Sequence, residues 1–96
     1  MEHILEHVGL GVRARIKDLT QGDLEAFGAA LVGEATDSAS QRRGAYLRAA
    51  LVAGWFVELV PALEAEQVIG QSPARVRLLG DWVDQIYGEV TNVPPG

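Results

Sequence analysis

Three groups of side chains in this sequence have the types and spacing that chemistry requires. The segment His3-Ile4-Leu5-Glu6-His7 spells H-x-x-E-H. On a helix, two such imidazoles share a face and bind zinc while the glutamate activates a water. That site also needs a third ligand on a second rigid element, and here Gly9 and Gly11 follow at once. The pattern predicts a mobile lead-in over 1–11, with His3, Glu6 and His7 solvated. Asp81 and Asp84, three apart with Glu89 nearby, can share one helix face and are suited to acid/base work or a hard cation. They fall opposite the apolar stripe of their helix, where no wall would shift their pKa values, so a solvated polar face is expected. No nucleophile paired with a base, phosphate-cradling glycine loop or Walker pattern is present. The expectation is a protein that is not an enzyme, with no catalytic residue, cofactor or metal ligand.

The third group is cationic. Arg42, Arg43 and Arg48 gather near the start of the longest apolar stretch, and Arg75 and Arg77 near the start of the last. Arginine at a helix start opposes the macrodipole, so these residues gain nothing locally and are free to meet acids elsewhere. A partner surface is one destination. Surface bridges to Glu34, Asp37, Glu64 or Glu66 are the other. Close by, Leu47, Leu51, Trp55 and Leu59 form an i, i+4 row. Trp55, Phe56 and Trp82 are bulky aromatics suited either to a core or to the anchors of an interface. The candidate partner-binding set is Leu47, Leu51, Trp55 and Trp82, with Arg42, Arg43 and Arg48 orienting the contact.

These groups need elements to hold them. Val12, Ala14 and Ile16 alternate with Arg13, Arg15 and Lys17, the period of a half-buried strand over roughly 12–17. Its partner would come from 1–11, from 62–70 or from another subunit. Thr20 and Asp23 form a variant capping box ahead of Leu24, Phe27, Leu31 and Ala35, predicting a helix over roughly 21–35. Residues 36–40 are small and polar and read as a loop, with Ser40 as a cap. No proline interrupts 41–60, which predicts the longest helix, apolar almost all round in its second half. Pro61 ends it, and 62–71 are ambiguous between a short helix and an irregular link. Ser72-Pro73 opens a helix over roughly 73–90 on the stripe Val76, Leu79, Val83, Ile86 and Val90. The end, 91–96, reads as an extended tail. The expected fold class is mainly α, in one small domain over 1–96.

Composition bounds the partners. The chain has 96 residues, of which 48% are hydrophobic and 22% charged, so it should fold around one core. A chain this short buries limited surface, which makes self-association a source of extra stability. Thirteen acids against eight basic residues give a net charge of −5, which opposes attraction to nucleic acid or anionic lipid. There is no cysteine, which excludes disulfides and thiolate chemistry. The apolar stretch 49–60 is too short to span a bilayer, and the acidic start differs from a secretory signal. A soluble, cytoplasmic protein is expected.

Read in order, these features resemble a known family. A basic strand precedes Leu19-Thr20-Gln21-Gly22-Asp23-Leu24-Glu25. An arginine-led, Ala-rich segment then ends in Ala53-Gly54-Trp55-Phe56-Val57-Glu58. A proline, an acidic stretch and a final helix running into Thr91-Asn92-Val93-Pro94-Pro95 complete the pattern. Over about 12–96 the chain resembles the small tail assembly chaperones of long-tailed bacteriophages. The resemblance implies a non-enzymatic, mainly helical viral protein of the bacterial host cytoplasm, absent from the mature virion. It further implies binding to the tape measure protein, recruitment of tail tube subunits, and a short form of a frameshifted pair. A generic small helical adaptor shares every composition argument and is the alternative, separable by stoichiometry. A metal-dependent enzyme built on His3, Glu6 and His7 is a third class, separable by deleting residues 1–8.

Overall fold

A computed structural model describes residues 1–92. The elements run β1 (His3–His7), β2 (Val12–Ile16), α1 (Gln21–Leu31), α2 (Ala39–Val52), β3 (Phe56–Val60) and α3 (Pro73–Thr91). Short 3-10 turns occupy Val8–Leu10 and Ala65–Gly70. The three strands form one antiparallel sheet in the order β1-β2-β3. The fold is therefore mixed α/β, which corrects the mainly α expectation.

Two segments account for the correction. Residues 1–11 hold a strand, where a mobile lead-in was expected. β1 pairs with β2 from His3↔Ile16 through His7↔Val12. A four-residue connection closes on Gly11, whose φ of 64° suits glycine and whose N–H donates to the Val8 carbonyl at 3.1 Å. The His7 imidazole Nδ1 accepts the Leu10 N–H at 3.0 Å. The second segment is 53–60, expected to continue the long helix. Gly54, at φ 75°, instead occupies the position that ends α2. Its N–H donates to the Leu51 carbonyl and that of Trp55 to the Ala50 carbonyl, the paired bonds that satisfy the last helical acceptors. Phe56-Val57-Glu58-Leu59-Val60, rich in aromatic and β-branched types, then pairs with the far side of β2.

The helix starts follow local chemistry. The Thr20 hydroxyl accepts the Asp23 N–H at 3.3 Å, and the Asp23 carboxylate accepts the Thr20 N–H at 2.8 Å. α1 stops at Leu31, short of the expected 35. Ser38, two residues before the expected Ser40, caps α2 in a reciprocal pair with Gln41 at 3.1 Å each way. Ser72 caps α3 with Pro73 in the first turn, and the helix runs through Thr91, the first residue of the expected tail. Asn92 caps the helix, its N–H donating to the Gly88 carbonyl at 3.0 Å, and the rest of that tail, 93–96, lies outside the described residues.

The helices cover one face of the sheet. Val12, Ala14 and Ile16 of β2 point into it and are at most 2% exposed. Ile16 joins Phe27, Ala49, Ala50, Trp55, Val83 and Ile86 in one cluster, and Val12 joins Leu47, Leu63, Val68 and Leu79 in another. α2 lies between α1 and α3 and touches both. It crosses α3 closely at Gly80, where an added Cβ would stand 2.6 Å from the Arg43 carbonyl oxygen. Only a hydrogen fits there. No helix among the described residues is long and apolar enough to cross a membrane.

Candidate interaction surface

The side chains that alternate out of the core make the other face of the sheet. On β2 these are Arg13 and Arg15, because residues two apart on a strand share a face. Directly opposite Arg15 stand Ile4 of β1 and Glu58 of β3, and opposite Arg13 stand Glu6 and Val60. Two rows result, Ile4–Arg15–Glu58 and Glu6–Arg13–Val60, each mixing a cation, a carboxylate and an aliphatic side chain. Diagonally, the Arg13 Nε donates to a Glu58 carboxylate oxygen at 3.0 Å. The Arg15 Nε lies 3.8 Å from Glu2, beyond hydrogen-bond range, and has no hydrogen-bond partner among the described residues. Ile4 is 75% exposed and Val60 40%, so this face offers apolar surface framed by charge.

At the lower end of β2 the charge pattern turns the corner into α1. The Lys17 ammonium sits 2.8 Å from the Asp23 carboxylate. That contact, with the Thr20 backbone N–H, holds the Asp23 carboxyl at about 2 against an ordinary 3.8.

Of the residues singled out in the sequence, Trp55 and Leu47 are fully buried. The Trp55 ring packs on Phe27 at 4.5 Å between centroids and on Tyr87 at 6.4 Å. Its indole N–H donates to the Asp23 carbonyl at 3.1 Å. Neither residue can form a docking surface on the folded chain, which corrects their assignment to a partner contact. Leu47 faces the cluster of Val12, Leu63, Val68 and Leu79, and the turn at Gly54 brings Trp55 inward between sheet and helices. Leu51 and Trp82 are half-buried against the cluster around Leu47 and Leu79.

The arginines separate. Arg48 forks onto Glu34 with two bonds of 2.9 Å, which lowers the Glu34 pKa and raises that of Arg48. Arg43 Nε donates to Asp81 at 2.8 Å. Arg42 is exposed and has no ion pair among the described residues. Arg42, Arg43, Asp81 and Asp84 border a small cleft between α2 and α3, in which the Arg43 bridge neutralises one carboxylate. Arg75 instead donates to Gln71 at 2.8 Å and to the Pro61 carbonyl, fastening α3 to the turn after β3, and its burial lowers its pKa.

The histidines do not form the zinc motif. On a strand, His3 and His7 stand about 13 Å apart along the chain and Glu6 points to the opposite face. Among the described residues, no group of three or more His, Cys, Asp or Glu side chains could hold a metal ion.

Sequence reasoning missed Ile4, Glu6, Glu58 and Val60 as one surface. The alternation of Arg13 and Arg15 pointed to half of it, and the other half depended on recognising β1 and β3. No protein-family model matches this chain, and neither the curated proteins nor the solved structures provide a match.

Proposed function

We propose that this chain is a non-enzymatic tail assembly chaperone, which binds a tape measure protein and helps recruit tail tube subunits in the bacterial cytoplasm without entering the mature virion. The resemblance of 12–96 to that family supports the reading. The observation that carries the binding role is the outer face of the sheet, which no element among the described residues covers and where Ile4 and Val60 stand exposed beside Arg13, Arg15, Glu6 and Glu58. A long amphipathic helix suits such a face, with its apolar stripe on the aliphatic side chains and its charges complemented on either side. The client contact therefore moves from the central helix to the sheet. Arg42 remains available to steer an acidic client segment during encounter.

Coexpression with the tape measure and tail tube proteins tests the proposal, with recovered complexes weighed and counted by mass spectrometry. Many copies on one long helical client are expected, with recovery reduced when Arg13 and Val60 are replaced together by Glu and Asn. A single partner at a fixed ratio would identify an adaptor. Equal recovery with and without the paired substitution would remove the sheet face from the client contact.

A further inference from the structure

The two edges of the sheet are unlike. β3 carries a register irregularity opposite Arg15 and Ile16, with Val57 as the extra residue, and is followed at once by Pro61. Both features blunt an edge against further pairing. β1 has neither a bulge nor a proline, is regular over all five residues, and leaves Ile4 75% exposed. Such an edge is a template for another strand. The residues of β1 select that strand.

We propose that β1 pairs with β1 of a second copy of this chain, antiparallel about a two-fold axis at Leu5, joining two sheets into one of six strands. The register follows from side-chain parity and charge. Directly opposed residues on antiparallel strands point to the same face, so the two-fold axis must pass beside Ile4, Leu5 or Glu6 for the strand to be used. An axis at Glu6 opposes Glu6 to its own copy, and an axis at Ile4 opposes Glu2 to Glu6. Each places like charges on neighbouring strands, which is unfavourable. The axis at Leu5 pairs Leu5 with Leu5, His3 with His7 and Ile4 with Glu6, so it uses all five residues and sets no carboxylate directly opposite another, leaving Glu6 only diagonal to the acids of the second copy. On the outer face, Glu6 of one copy then lies in the row of Ile4 and Arg15 of the other, extending the alternation already present across β2 and β3. This pairing is independent of the client reading.

Charge substitution at Ile4 tests it, because within one chain Ile4 faces Arg15 and across the joint it faces Glu6. Ile4→Glu should favour the folded monomer yet weaken self-association about tenfold, since the new repulsion occurs twice in a symmetric pair. Ile4→Lys should do the reverse on both counts. Sedimentation equilibrium over a wide concentration range reads association, and thermal unfolding at low concentration reads the monomer. Register is read by disulfide trapping. A mixture of Ile4→Cys and Glu6→Cys chains should give mainly the mixed dimer, because opposed strand positions lie at disulfide distance. A wild-type chain that stays monomeric throughout, a dimer indifferent to both Ile4 variants, or trapping only between identical cysteine variants would overturn the proposal. Failure of client binding would leave all three readouts intact.

Discussion

The two faces of β2 share five residues and differ in almost everything else. Val12, Ala14 and Ile16 meet both core clusters and are sealed from water. Arg13 and Arg15, one position along, stand at the surface with only one good ion pair between them, and the side chains of that pair are 54% and 39% exposed. Burial ties the first set to its register, because a slip of one residue would bring arginine into the core. Solvent screens the second set, so those residues contribute little to stability and can serve recognition. The face that holds the molecule together and the face proposed to meet partners are separated by one strand's thickness.

Substitutions can break or sharpen that division. The largest effect is expected from Trp55→Ala, which opens a cavity against Phe27 and Tyr87 and removes the indole donor from the Asp23 carbonyl. A loss of about 3 to 5 kcal/mol in urea unfolding is expected. A near-neutral result with reduced client binding would return Trp55 to the surface and erase the contrast. Gly80→Ala should cost about 1 to 3 kcal/mol by forcing α3 away from the Arg43 backbone. A neutral outcome would show the helix crossing to be loose.

Acid should then distinguish a working surface pair from a decorative one. Asp23 titrates near 2 in the folded chain and near 3.8 when unfolded. Its contribution is complete above the unfolded value, and it fades as pH falls from about 4 to 2. The melting temperature of Asp23→Asn should start lower at neutral pH and approach that of the wild type across that window. A constant gap would sink the assignment. The smallest effect belongs to the outer face, where Arg13→Gln or Glu58→Gln should change stability by no more than about 1 kcal/mol. A larger loss would mean that this face, too, is structural.

Much of the molecule was legible where the signal was local. Thr20 and Asp23 mark the start of α1, Ser72 and Pro73 that of α3, and the strict alternation of 12–16 marks β2, because each rests on chemistry within a few residues. Residues 53–60 misled because Leu47, Leu51, Trp55 and Leu59 keep helical spacing straight through Gly54. That glycine, followed by Phe-Val-Glu-Leu-Val, was the available warning. Its weight depended on a strand far away in sequence. β1 was harder still, since His3-Ile4-Leu5-Glu6-His7 has mixed polarity and becomes a strand through β2. The candidate surface inherited both errors. The arginines divided between the two destinations: Arg48 takes the bridge to Glu34 that was one of those expected, while Asp81, which holds Arg43, lies on a distant helix and approaches it only in three dimensions.

The sheet order also dictates a timetable for folding. β1 and β2 are joined by a four-residue connection, and hairpins in general close in about 1 to 10 μs. β3 reaches β2 only after the chain has closed a loop containing all of α1 and α2, and that closure entropy must be met before the pairing repays it. Substitutions at the Gly11 turn should therefore act chiefly on the folding rate, and those in β3 on the unfolding rate. On a ribosome, the hairpin can form long before Phe56 is synthesised, and until then both sides of it are open edges.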